Sequence, residues 1–266
     1  MTGSSPDPER LQLRVIAAQP SGALVGRGDG DRLVLAGPVD PCGQCEICRR
    51  GGAAVCAAMI ARAPGPLVEV SARWAVELGD GLDLPLPQAA AVGGDVATAY
   101  TLYARTGLGP RDPVVVTGET AVARFLVQVL RSKGLTPIAV ARADSADWRA
   151  WLAGAGAVAA TDAAGVHDAL VAQGLGARPL RVIATADHAT AFALAGPRAT
   201  LTLLAGAALD VPALPSSLVA REVSILGVAG PHPDLITEAA ALCARGDLDL
   251  AGGVGDGPTQ SRVIIY

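Results

Sequence analysis

Apolar and polar positions in the second half of the chain alternate between short β-branched runs and helical spacings. Residues 113–117 form a run that predicts a buried parallel strand, and a helical spacing of apolar residues follows at 121–133. The same patterns predict strands at 137–140, 180–184, 200–204 and 224–227, and helices at 147–153, 166–173 and 233–245. Alternation at this pitch predicts an α/β fold with a doubly wound, Rossmann-like parallel sheet.

Composition and charge narrow the class of protein. Of 266 residues, 51% are hydrophobic and only 3% aromatic, so a sizeable core must consist mainly of Ala, Val and Leu. The net charge of −4 and the lack of a basic run argue against a nucleic-acid partner. Residues 1–12 contain no apolar signal core, and no segment is apolar enough to span a bilayer, so we expect a cytoplasmic protein with reduced thiols.

Four of the five cysteines lie close together in the first third of the chain, as Cys42, Cys45, Cys48 and Cys56. Short turns between cysteines let successive thiolates converge on one zinc ion, and four protein thiolates give a structural rather than a water-activating site. An iron–sulfur cluster or disulfides are the alternatives, but the usual ferredoxin run places its fourth cysteine sooner and disulfides need an oxidising compartment. Cys243 follows an alanine-rich helical pattern and is predicted to be a small core residue.

Residues 30–35 and 41–45 resemble the stretch that leads into the structural zinc lobe of the medium-chain zinc-dependent alcohol dehydrogenases. Residues 97–100 and 221–227 resemble that family's helix into the cofactor domain and its late strand. The resemblance implies a truncated GroES-like β domain at 1–88 with the zinc lobe at 41–57, a Rossmann-like domain at 89–247, and a return to the first domain at 248–266. Residues 262–266 resemble the family's closing strand. The resemblance also implies a homodimer that pairs through residues 224–227.

The ligands of the family's catalytic zinc are missing at the matching positions. No cysteine precedes Cys42, the Gly-His-Glu motif aligns with residues 17–19 (Ala-Ala-Gln), and the third ligand position is Gly94, next to Asp95. The histidines are scattered and are predicted to be surface or loop residues, namely His167, His188 and His232. A catalytic zinc is therefore not expected.

The dinucleotide fingerprint is also altered, over residues 118–123. Gly118 is kept, but Thr120 replaces the glycine that lets backbone approach a pyrophosphate. Glu119 adds a negative charge at the helix start and is interpreted as a residue of the first helical turn that stabilises an empty helix end. Arg142 follows Ala141, where NAD enzymes carry an acid; an arginine there favours NADP, and Gly118, Thr120 and Arg142 are the candidate cofactor contacts.

Two main hypotheses on function follow from the resemblance and its departures. The first is an alcohol dehydrogenase-like protein with one structural zinc that has lost dehydrogenase activity and acts as a structural or partner-binding subunit. The alternative is a zinc-independent NADP(H)-dependent reductase of an activated small molecule, with Arg142, Thr98 and Tyr100 as contacts. A third hypothesis is small-molecule binding in the ancestral cofactor cleft, beside Asp95, Asp187 and His188. The alternative interpretation of these residues is that they are helix caps and turns.

Overall fold

A computed structural model describes residues 10–28, 31–61, 65–78, 84–176, 179–205, 216–257 and 260–265. Residues 1–9 of the polar N-terminal segment, Gly30 of the family-like stretch, and Tyr266 at the end of the predicted closing strand lie outside these ranges. Over the described ranges, no helix has the length and apolar character needed to cross a bilayer.

The first part of the chain forms a curled antiparallel sheet. Six strands build it in the order β14-β1-β2-β3-β7, with β6 also paired to β1, while β4 and β5 form a separate ribbon. Its apolar face packs around Leu13, Leu24 and Val34. The predicted closing strand pairs with the end of β1. The strands are β1 (Arg10–Ala18), β2 (Leu24–Arg27), β3 (Leu33–Ala36), β4 (Val39–Asp40), β5 (Ile60–Ala61), β6 (Leu67–Ser71), β7 (Ala75–Glu77) and β14 (Ile264–Ile265).

The second part forms a six-stranded, fully parallel sheet in the order β10-β9-β8-β11-β12-β13. This is the doubly wound order, and it places a crevice between β8 and β11, where the winding reverses. Strand β13 forms one edge of the sheet. The strands are β8 (Val114–Thr117), β9 (Ile138–Val140), β10 (Val158–Ala160), β11 (Arg181–Ala184), β12 (Thr200–Leu204) and β13 (Ser224–Val228). The predicted α/β fold is confirmed, although β10 was not predicted.

Helices cover both faces of the parallel sheet, and several begin at a side chain that accepts from the first turn. Thr120, Asp162 and Asp187 cap three of them in this way. The predicted final helix begins as a 3-10 turn at Pro233–Leu235. The helices are α1 (Glu46–Arg49), α2 (Leu86–Ala91), α3 (Ala97–Thr106), α4 (Ala121–Ser132), α5 (Ala146–Gly154), α6 (Ala163–Ala172), α7 (His188–Leu194), α8 (Ser216–Ala220), α9 (Ile236–Ala244) and α10 (Leu250–Gly253), with a π-helical turn at Val92–Val96 between α2 and α3.

One large core joins the two sheets. Phe125 and Leu126 of α4, Leu102 of α3 and Ile183 of β11 are fully buried in it. Cys243 is also buried there, which confirms its prediction as a core residue. The glycine-rich composition of residues 251–257 favours a flexible turn, but the first part of this run is helical, because Asp249 caps a short helix that begins at Leu250.

Candidate metal centre and cofactor cleft

The four clustered cysteines converge on one point. One sulfur from each lies within 4.8 Å of the others, and the distances from Cys56 to Cys42 and to Cys45 are 3.5 and 3.8 Å. Four thiolates about 2.3 Å from a tetrahedral zinc lie about 3.8 Å apart, so these residues fit a single ion. All five cysteines of the chain are free thiols, so the disulfide alternative is not what the structure contains.

Backbone groups arrange these sulfurs. Cys45 stands just before α1 and accepts from the backbone N–H of Cys48, and Cys42 accepts from the N–H of Cys45 at 3.4 Å. Backbone N–H donors from Gln44 and Cys45 lower the pKa of Cys42 to about 6, which favours its thiolate. Burial raises the pKa of Cys48 to about 12, so a cation is what makes a thiolate there favourable.

Two neighbours that sequence reasoning missed support the lobe. Trp74 is buried against the cysteines, and its indole N–H donates to the carbonyl of Pro41 at 2.9 Å. The Arg73 guanidinium stacks 4.7 Å from the Trp74 ring and donates to the carbonyl of Gly43. An arginine beside a tryptophan in a β-branched segment matches no zinc-binding motif, so the sequence alone did not indicate a role for either residue.

His232 connects the lobe to the parallel-sheet half. Its Nε2 lies 2.6 Å from the carbonyl of Gly51, and its backbone N–H donates to Thr101. His232 lies in a loop, as was predicted, although it is only 9% exposed. The prediction of a surface or loop position is wrong for His188, which is buried in the first turn of α7. Among the described residues, no histidine joins a metal-binding group.

Two segments that the resemblance assigns to a catalytic zinc, at residues 17–19 and around Gly94, do meet in space. Gln19 donates to Asp95 at 2.8 Å, Ser261 donates to Asp95 at 2.6 Å, and Gln19 also contacts Ser261. A side chain at residue 94 would overlap the Gln19 amide, so Gly94 leaves room for it. Burial raises the pKa of Asp95.

This trio of Gln19, Asp95 and Ser261 does not fit a catalytic zinc. It offers one carboxylate, one amide and one hydroxyl, with no imidazole or thiolate, whereas catalytic zinc is held by three ligands drawn mainly from His, Cys and Glu. The carboxylate already accepts two hydrogen bonds from its two neighbours. The trio therefore links three segments of the chain through its own hydrogen bonds.

A cleft of about 1030 Å³ lies at the carboxyl ends of the parallel strands. Gly118 turns the chain at its floor with φ +97°, and an added Cβ would lie 2.6 Å from the backbone nitrogen of Ala186. Thr120 accepts from the N–H of Ala123, capping α4, and its hydroxyl donates to Thr185. A phosphate at this helix start would have to displace these contacts.

Glu119 was predicted to lie in the first helical turn. This is wrong, because the helix begins at Ala121 and Thr120 is its cap. The carboxylate instead crosses the cleft and accepts from the backbone N–H of Arg142 and from the Ser145 hydroxyl, both at 2.6 Å. It therefore lies at the end of β9, the corner where a dinucleotide ribose is bound in this fold.

The candidate cofactor contacts are only partly brought together. Gly118 and Arg142 both line the cleft, and the exposed Arg142 guanidinium lies 3.6 Å from Asp144. Thr98 is buried and donates to the carbonyl of Gly94, while Tyr100 packs against Lys133, so neither belongs to the residues that line this cleft.

The two residues of the small-molecule hypothesis beside the cleft have structural roles. Asp187 lines the cleft but caps α7 by accepting from Thr190, which confirms its interpretation as a helix cap. His188 contacts the carbonyl of Leu204.

Comparison with known proteins identifies the fold. An alcohol dehydrogenase of Escherichia coli CFT073 complexed with NADH superposes with a TM-score of 0.79 at 16% identity, over 99% of this chain and 94% of that one. An alcohol dehydrogenase from Thermus sp. ATN1 gives 0.78 at 17% identity, over 96% and 87%. The cobalt- and zinc-bound enzyme of Pyrobaculum aerophilum gives 0.74 at 20%, over 91% and 82%.

Sequence comparison adds nothing to this, since no family model and no curated protein matches the chain. The likeness is one of architecture, and it includes both the curled antiparallel sheet and the six-stranded parallel sheet. The chain therefore has the fold of the medium-chain dehydrogenase/reductase superfamily, to which the zinc-dependent alcohol dehydrogenases belong.

Proposed function

We propose that this chain is an alcohol dehydrogenase-like protein that binds one structural zinc, lacks zinc-dependent dehydrogenase activity, and acts as a structural or partner-binding subunit. The observation that carries the proposal is the hydrogen-bonded trio of Gln19, Asp95 and Ser261. It includes residues in or next to the segments to which the resemblance assigns the catalytic zinc, and it offers a single carboxylate with no imidazole or thiolate.

The cofactor cleft supports the same conclusion. At the helix start that would receive a pyrophosphate, Thr120 caps the helix itself, and Glu119 places a carboxylate at the end of β9. A negative charge that is 12% exposed repels a phosphate more strongly than one in open solvent would. Zinc-dependent hydride transfer from a dinucleotide would therefore lack both a suitable metal site and a ready site for the phosphates.

The four cysteines are the assigned ligands of the zinc, namely Cys42, Cys45, Cys48 and Cys56. A closed four-thiolate shell stabilises the lobe and leaves no position for substrate. The lobe contacts the parallel-sheet half through His232 and Gly51, so zinc binding also supports the packing of the two halves.

Metal analysis together with an activity survey tests the proposal. We expect one zinc per chain, and no oxidation of alcohols or reduction of aldehydes and enones with NAD(H) or NADP(H). Two zinc ions per chain, or turnover that a Ser261→Ala substitution abolishes, would overturn it.

The partner that we propose is a second copy of the chain. Strand β13 has only one neighbouring strand among the described residues, so it forms a sheet edge, and Ile225 on it is 42% exposed. Unpaired apolar edges associate readily, and a twofold axis lets the same strand serve both subunits.

The second candidate function is a zinc-independent NADP(H)-dependent reductase. The large cleft and the exposed arginine on its rim, Arg142, favour it. Replacement of Arg142 by alanine would then raise the KM for NADPH and leave that for NADH unchanged. Absence of turnover with either cofactor counts against this function.

A further inference from the structure

The loop between β9 and α5, residues 141–145, carries donors that suit an anion. The backbone N–H of Arg142 and the hydroxyl of Ser145 point at one place, and the Arg142 guanidinium lies 3.8 Å from it. Backbone N–H groups, hydroxyls and arginine are the donors that bind phosphates in proteins. The occupant of this place is the carboxylate of Glu119.

The loop is held in this shape independently of Glu119. One guanidinium nitrogen of Arg149 donates to the carbonyls of Arg142 and Ala143, at 2.8 and 2.7 Å. These bonds hold the two peptide groups between Arg142 and Asp144, which lie between the two donors. The loop would therefore keep its shape if the carboxylate were removed.

Ser145 provides a second observation. It stands at the cap position of α5, where a serine hydroxyl normally accepts from the first helical turn, but it makes no such bond. Its hydroxyl donates to Glu119 instead. A residue placed for capping is thus used to bind the carboxylate.

We infer that Glu119 is the resident anion of this site and excludes phosphate-bearing ligands from the cleft. It meets the site's donors from within the chain, so an incoming phosphate finds them occupied. The phosphate is also repelled by Glu119 and by Asp144, whose carboxylate lies beside the Arg142 guanidinium. The inference rests on the proposed function, since it explains how a cleft of dinucleotide size excludes a dinucleotide.

The inference makes Glu119 the determinant of ligand specificity. With the carboxylate in place, the cleft binds an uncharged nucleoside more tightly than its phosphate ester. Without it, the loop donors select the ester. The effect of the residue is on the difference in affinity between the two ligands, which a merely structural role would not change.

Isothermal titration calorimetry with adenosine 2′-monophosphate and with adenosine, on the zinc-loaded full chain, tests this. We expect the wild-type protein to bind adenosine more tightly than the ester, and Glu119→Ala to bind the ester at least about tenfold more tightly than adenosine, a gain that falls as salt is added. Glu69→Ala, an exposed glutamate on β6, is the matched control and should resemble the wild type.

Circular dichroism and zinc content establish that each variant is folded. If Glu119→Ala does not fold, Glu119→Gln keeps a hydrogen-bond acceptor and removes only the charge, and it should still gain a preference for the ester. A folded variant with no gain, or a wild-type protein that binds the ester at least as tightly as adenosine, overturns the inference. Those results leave the proposed function standing, whereas wild-type turnover with NADPH would overturn that function, so the two failures are distinguishable.

Discussion

Single side chains decide what each centre in this molecule can hold. The cysteine lobe keeps four sulfurs at the separations of a tetrahedral ion. The second centre has an amide where the resemblance places a metal-binding segment, and Gly94 leaves the space that Gln19 fills. The chemistry of the first centre was readable from cysteine spacing. The second depended on Ser261, which lies 242 residues from Gln19 in the chain and has no motif around it.

Removal of one thiolate should release the zinc. We expect Cys56→Ser to lower the zinc content from one to nearly none per chain, because a hydroxyl is a poor fourth ligand for zinc. Cys243→Ser, which changes the buried cysteine of α9, is the control and should keep its zinc. Plasma mass spectrometry on dialysed protein measures both. Full zinc in Cys56→Ser would show that the lobe is not the metal site.

Asp95 should make stability depend on pH. Burial raises its pKa above the ordinary 3.8, so the folded state holds a proton that the unfolded state has lost. The contribution of Asp95 to the free energy of unfolding is then greatest below about pH 3.8. It falls as pH rises through the folded pKa, by about 1.4 kcal/mol for each unit by which the pKa is raised. Asp95→Asn removes the titration and keeps hydrogen-bonding groups.

The measurement is urea unfolding of the wild type and of Asp95→Asn between pH 4 and pH 8. The variant should gain stability relative to the wild type as pH rises. Asp168→Asn, at an exposed position, should show no such trend. A constant difference between Asp95→Asn and wild type would contradict the account.

Elements with strong local patterns were predictable, and those whose geometry depends on distant partners were not. The strands β8, β11 and β12 are apolar runs, and α4 is strongly amphipathic, so sequence periodicity found them. Strand β10 is only Val-Ala-Ala, and α7 follows Asp187 in a left-handed conformation, so neither carried a clear signal. The Glu119 carboxylate binds a backbone group 23 residues away, which no local pattern reveals.

The turn after β8 should tolerate no side chain at its first position. Gly118→Ala combines a positive φ with an overlap against the backbone of Ala186, and we expect a loss of about 3 kcal/mol or more. Gly134→Ala is the control, since it shares a positive φ but has open space around it, and it should cost about 1 kcal/mol. Thermal unfolding compares them. Equal losses would show that backbone strain alone matters at this turn.

The whole molecule combines a sheet with an open edge and a cleft above its strands. The edge is β13, and the hydrogen-bonded trio of Gln19, Asp95 and Ser261 lies where the antiparallel sheet meets the π-helical turn. The fold could be predicted from the cysteine spacing and the strand–helix alternation. The function could not, because fold relatives at 16–20% identity share only the architecture.

Self-association should depend on the edge strand. We expect the wild-type protein to sediment as a dimer and Ile225→Lys to sediment as a monomer, because a lysine at the edge opposes strand pairing. Val171→Lys changes an apolar residue on α6 that is 55% exposed and should leave the dimer intact. Analytical ultracentrifugation distinguishes the species. A wild-type monomer, or a dimer of Ile225→Lys, would contradict the proposal.

The most direct measurement is a thermal-unfolding titration of the zinc-loaded protein with NADPH. A ligand at a hundred times its dissociation constant stabilises a folded protein by about 2.7 kcal/mol. The account predicts no shift in the unfolding temperature, because Glu119 and Thr120 occupy the groups that would bind the phosphates. A saturable upward shift would contradict it.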